Sequence, residues 1–113
     1  MEIKRGSLYL ADLNPRQGTE PGKLRPVVVI QSDFLNSIGH PSTWIIPCTT
    51  QLTSPNILRI NLPKGCAGND QECDVMVDQS RSIDNSRFKK LLGTIPTSFM
   101  NEIVEKLRQT GDL

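Results

Sequence analysis

The run Arg25-Pro26-Val27-Val28-Val29-Ile30-Gln31 restricts the fold of this 113-residue chain more than any other stretch. Four successive β-branched residues are stiff at χ1 and pack well on a pleated surface, so the run predicts a strand over about 25–31. Its apolar residues do not alternate with polar ones, which predicts a strand covered on both faces. Pro26 cannot donate to a ladder and fits the first strand position. It also drives Arg25 out of the helical region. A permanently charged fork is therefore held where a polar loop meets a rigid strand, and that suits a phosphate. An arginine taken alone is more often a solvated surface cation.

The loop before it, residues 14–24, carries Gly18, Pro21 and Gly22 with the charges Arg16, Glu20 and Lys23. A connection this long in a compact domain is more often functional or mobile than a simple link. Ser7–Leu13 reads as a first strand ended by Asn14-Pro15. Ser32 or Asp33 caps a short helical turn that Gly39 ends. Thr43–Thr50 reads as a third strand, in which Pro47 predicts an edge or a bulge. In Ile57–Leu62, the residues Leu58, Ile60 and Leu62 share one face of a half-buried strand. Pro63–Asp74 is a loop, Val75–Gln79 a short apolar strand, and Arg81–Asp84 a further strand before a turn at Asp84-Asn85-Ser86.

The C-terminal stretch predicts a helix with Pro96 at its first position and Gly111 as its stop. Phe99, Met100, Ile103, Val104 and Leu107 form one apolar stripe, with Glu102 and Lys106 an i,i+4 pair on the other face. Short strands followed by a single helix predict one mainly β (α+β) domain over 1–113. Its architecture is a small, strongly curved antiparallel sheet or barrel with a C-terminal helix.

A formal net charge of +1 gives no global basic field, so nucleic-acid binding requires a local patch. No apolar run approaches the length of a membrane span. The start, Met1–Gly6, is too polar for a signal peptide, which predicts a cytoplasmic chain with reduced thiols. Cys66 and Cys73 leave a disulfide-closed loop open, disfavoured in a reducing cell. One histidine, His40, and no Cys-x2-Cys pair give no metal site, and no cofactor is expected. Aromatic residues, at 4%, are too few for a base-stacking platform, which counts against a non-catalytic RNA-binding barrel.

Three pieces of sequence together resemble one family. The first runs from Lys4-Arg5-Gly6 through Tyr9–Pro15 and Gly18–Lys23 to Arg25–Val29; the second is Pro47–Gln51; the third is Asp78–Asp84 with Leu92-Gly93-Thr94 and the terminal helix. They are similar to the MazF/PemK toxins, sequence-specific endoribonucleases also called mRNA interferases. The match covers nearly the whole chain and departs from the pattern at Pro21 and in the loop from Cys66 to Cys73.

The resemblance implies an SH3-like, barrel-forming antiparallel sheet with a C-terminal helix, assembled as a homodimer. It implies metal-independent cleavage of single-stranded RNA. The RNA's own 2′-hydroxyl attacks, leaving a 2′,3′-cyclic phosphate and a 5′-hydroxyl. The implied partner is a small cognate antitoxin peptide, disordered until it occupies the RNA groove. A non-enzymatic toxin of the same fold that inhibits DNA gyrase stands as the alternative.

Residue roles follow from the same match. Arg25 corresponds to the family's catalytic arginine; permanently protonated, it is a charge stabiliser rather than a base. Thr49 corresponds to the catalytic threonine, and Glu20 to a carboxylate that takes a proton or binds a base. Arg16, Thr19, Lys23, Thr50 and Gln51 are RNA contacts in this reading, and Asp78, Gln79 and Arg81 belong to the segment lining the groove. His40 is a general base by type, but it falls in a variable loop outside the matched motifs.

Overall fold

The computed structural model describes residues 1–15, 17–19, 22–53 and 56–113. Its elements are β1 (Ser7–Asp12), β2 (Leu24–Val29), α1 (Asp33–Ser37), β3 (Ser42–Thr49), β4 (Arg59–Leu62), β5 (Cys73–Met76), β6 (Arg81–Asp84), β7 (Phe88–Thr94) and α2 (Thr97–Gly111). Short 3₁₀ turns at Val77–Gln79 and Asn85–Arg87 flank β6. Every strand pair is antiparallel. The strand order is β4-β5-β3-β2-β1-β7, with β6 pairing β3 off this path. The two ends of that path, β4 and β7, do not pair among the described residues. The sheet is therefore curved and open, and the barrel half of the sequence expectation is corrected.

The valine run lies at the centre of this sheet and is covered on both faces. Val28 joins the larger core with Leu8, Ile46, Val75 and Ile103, under α2. Val27 and Val29 join a second core with Tyr9, Ile45, Ile83 and Phe88. Tyr9 and Phe88 meet edge to face in that second core, with ring centroids 5.3 Å apart. Ile103 anchors α2, and Phe99, Met100 and Leu107 pack around it. At the ends of α2 the sequence reading shifts by one residue. Pro96 is the N-cap rather than the first helical residue, and Gly111 stays helical while Asp112 takes the left-handed conformation.

Pro47 sits in a central strand, not at an edge, and the ladder explains why. The first half of β3 pairs β6, from Ser42 opposite Asp84 to Ile45 opposite Arg81. Its last residues pair β5, with Cys48 opposite Val75 and Thr49 opposite Asp74. Pro47 falls where β3 exchanges one partner for the other, so its missing N–H interrupts no ladder bond. The segment Val75–Gln79 is likewise not one strand: β5 ends at Met76 and the chain turns through Val77–Gln79. Phe88–Thr94 forms β7, pairing β1 through two register shifts. All three cysteines are free thiols; Cys66 and Cys73 do not close the loop.

Candidate active site

The β2–β3 register builds the site. It pairs Val27 with Pro47 and Val28 with Ile46. Extended by two residues, the same register sets Pro26 opposite Cys48 and Arg25 opposite Thr49. Proline has no N–H for the Cys48 carbonyl. The Arg25 side chain supplies one instead, its Nη1 donating to that oxygen at 3.4 Å while its Nε donates to the Gly22 carbonyl at 2.5 Å. The Arg-Pro dipeptide thus pulls the guanidinium across the ladder to the end of β3.

Thr49 is only 6% exposed. Its Oγ1 accepts the Gln51 N–H at 3.1 Å, which fixes the hydroxyl and bends the chain away from the sheet after β3. A threonine hydroxyl keeps one proton to donate beyond that bond. The neighbouring Cys48 thiol is no competitor as nucleophile. It is held well above its ordinary pKa by its hydrogen bond to Cys73 and by complete burial, and so stays protonated.

The base of the long loop is tied at the same place. Lys23 adopts φ +70, in the left-handed region. Its N–H donates to Asn14 Oδ1 at 2.8 Å, and its carbonyl accepts the Leu13 N–H at 2.8 Å. These two bonds hold a conformation that a non-glycine residue adopts at some cost.

These residues open onto a groove of about 890 Å³. Arg25 and Thr49 line it together with Thr19, Lys23, Thr50, Gln51 and Gln79. Of the other sequence candidates, Asp78 is exposed and Arg81 half-buried, and neither is among the lining residues. Arg16 and Glu20 lie outside the described residues. His40 is exposed in the turn before β3, with its Nδ1 2.8 Å from the Ser42 carbonyl oxygen, and lines no part of the groove.

The sequence model of one family, described as PemK-like, MazF-like toxin of type II toxin-antitoxin system, matches residues 4–110. The chain belongs to this toxin family. A relative from Staphylococcus saprophyticus, Endoribonuclease MazF, is 32% identical over 102 residues, which is 89% of this chain and 84% of that protein. The crystal structure of MazF from Deinococcus radiodurans superposes with a TM-score of 0.87 at 23% identity, over 100% of this chain and 99% of that one. The Mycobacterium tuberculosis toxin MazF-mt6 superposes with a TM-score of 0.78 at 18% identity, over 95% and 97%. A MazE-MazF complex from Deinococcus radiodurans gives 0.80 at 23% identity, over 100% and 98%. The toxin fold is shared with all three solved structures.

In this toxin chain the groove also has walls that sequence reasoning passed over: Asn14, Leu52, Thr53, Arg59 and Met76. Arg59 carried a signal. It alternates with Leu58 and Ile60 and so points away from their face of β4. What the alternation did not contain was the neighbour of β4, which brings that outer face into the groove.

Proposed function

We propose that this chain is the toxin of a type II toxin–antitoxin pair and acts as an endoribonuclease on single-stranded RNA. The observation that carries the reading is that Arg25, bonded to the Cys48 carbonyl at the end of β3, and the next residue, Thr49, line one open groove. Family membership and the endoribonuclease name of the Staphylococcus relative support the same conclusion.

In this reading the scissile phosphate lies against Arg25 and Thr49. The 2′-hydroxyl of the preceding ribose attacks the phosphorus, the P–O5′ bond breaks, and the departing 5′-oxygen of the next nucleotide takes a proton from water. The products are a 2′,3′-cyclic phosphate and a 5′-hydroxyl. Negative charge grows on the non-bridging oxygens as the phosphorane forms. Arg25 supplies charge-assisted donors there, held in place by its bond to Gly22, and Thr49 supplies a neutral donor. Glu20 is assigned the proton of the attacking hydroxyl. Lys23, Thr50, Gln51 and Gln79 hold the flanking nucleotides, with Arg16, Thr19, Asp78 and Arg81 as further contacts. The protein works in the cytoplasm as a homodimer, without metal, until a cognate antitoxin peptide covers the groove.

Incubation of a long RNA with the protein in excess chelator tests the reading. Cutting should persist, cut sites mapped by primer extension should share a short motif, and the new 5′ ends should accept label from polynucleotide kinase without phosphatase treatment. RNA left intact, with inhibition of DNA gyrase instead, would assign the fold to the non-enzymatic kind of toxin. Cutting lost in chelator and restored by a divalent ion would overturn the metal-free mechanism.

A further inference from the structure

Registers across four strands align one transverse row of side chains. The β2–β3 register, extended two residues past Val27 and Pro47, sets Arg25 of β2 opposite Thr49 of β3; Thr49 pairs Asp74 of β5, and Asp74 pairs Asn61 of β4. In the next row Met76 of β5 pairs Arg59 of β4, on the same face of the sheet. Arg59 therefore shares a face and a groove with Arg25 and Thr49, two strands from Thr49 and three from Arg25.

Asp74 is only 4% exposed, and its carboxylate is already engaged. Oδ1 accepts from Asn61 Nδ2 at 3.2 Å, and Oδ2 accepts from the Thr53 N–H at 3.3 Å. Arg59 Nη1 lies 3.6 Å from Oδ2, close enough for an ion pair but beyond a hydrogen bond. That nitrogen is buried, with no hydrogen-bond partner among the described residues. The carboxylate thus orients the guanidinium from behind without saturating it. The Arg59 side chain is 24% exposed, and the residue lines the groove. Beside it stand Met76 and Leu52, two apolar walls of the same groove.

We propose that Arg59 is a specificity residue that reads a base edge carrying two adjacent acceptors, the O6 and N7 of guanine. A fork of parallel donors matches that edge bidentately. Adenine and cytosine each present an amino donor to the fork and are rejected by it. The apolar walls decide for a base over a backbone phosphate, because a phosphate has no flat apolar body to cover. This inference rests on the RNA-cleaving reading above for the class of ligand, and names the base chemistry of that same groove.

Short RNA analogues, 2′-O-methylated so that they resist cleavage, provide the test, with each base placed in turn at every position. Wild-type protein should prefer guanine at one position by roughly ten-fold or more. A 7-deazaguanine there, which lacks N7, should lose most of that preference. Arg59→Lys keeps a charge against Asp74, so the fold should survive, as a thermal melt would show. It should nevertheless become indifferent to guanine against 7-deazaguanine. Arg59→Gln should shift the preference toward adenine.

Retention of the guanine preference by Arg59→Lys would overturn the assignment. So would a loss of affinity equal for all sequences with a salt slope lower by about 1, which marks a phosphate contact. Cleavable RNA run in parallel separates the two readings. Arg59-dependent guanine binding without any cutting removes the endoribonuclease and keeps Arg59. Normal cutting with a preference unchanged in Arg59→Lys removes only Arg59.

Discussion

Arg25 owes its position to its neighbour. Pro26 leaves the Cys48 carbonyl without a ladder donor, and the guanidinium takes the vacancy at 3.4 Å. The sequence showed a charged fork on a stiff support; it did not show which strand the fork would cross to. Arg25→Ala should leave the protein folded and lower the cleavage rate by roughly 10² to 10³, or about 2.7–4 kcal/mol in the barrier. Single-turnover cleavage of a short RNA checks this, and near-normal activity would remove Arg25 from the mechanism. Arg25→Lys should also be badly impaired, because one ammonium cannot donate along two parallel directions. Thr49 on its own read as an ordinary strand threonine; only its match to the family motif beside Pro47 and Gln51 singled it out. Arg59 was half legible, since its outward direction could be read but its groove could not. Away from the site, Asp33 ties the N-terminal segment to α1. Its pKa is lowered from 3.8 first by the Arg5 N–H it accepts and then by Asn36. A lowered folded pKa gives stability that is present above 3.8 and is lost as pH falls through the folded value. The stability difference between wild type and Asp33→Asn in urea should therefore shrink between about pH 7 and about pH 2. A gap that persists in acid would show that charge on Asp33 is not its cause.

At the scale of elements, periodicity located the strands and the terminal helix, whereas pairing partners decided the details. Pro47 was read as marking an edge or a bulge because a lone sequence cannot show that β3 changes neighbours in mid-strand. Val77 continues an apolar run and so resembles strand, yet the chain turns there to carry Gln79 to the groove. Gly93 was noticed only as part of a motif; its physical reason is a backbone crossing. A Cβ on Gly93 would stand 2.4 Å from the Ala67 carbonyl oxygen, where the loop after β4 lies against β7. Backbone cannot yield as a flexible side-chain tip can. Gly93→Ala should destabilise the fold by about 1–3 kcal/mol, in the range of overpacked cores. The urea midpoint measures it, and a variant as stable as wild type would mean that this crossing is loose.

For the whole molecule the open question is how a chain of net charge +1 holds a polyanion. In the proposed function the active unit is a homodimer. Two copies set side by side would join two loop bases, each with Lys23 and Arg25, and two sets of Arg16, into one continuous positive track. Symmetric pairing is also the commonest assembly of soluble proteins. Such a track attracts an acidic, disordered peptide as well as RNA. A peptide of that kind loses ordering entropy on binding but can wrap a large surface. RNA binding should then weaken steeply with salt, since each neutralised phosphate releases condensed counterions, and the slope of affinity against salt should count more phosphates than one groove contacts. Sedimentation at micromolar concentration, run beside a cleavage assay, decides the assembly. A species of monomer mass that cuts at full rate would exclude the dimer as the active unit. An acidic peptide should compete with an uncleavable RNA for the same protein. If both bind together with no mutual loss of affinity, the peptide sits elsewhere and the groove is not where the toxin is silenced.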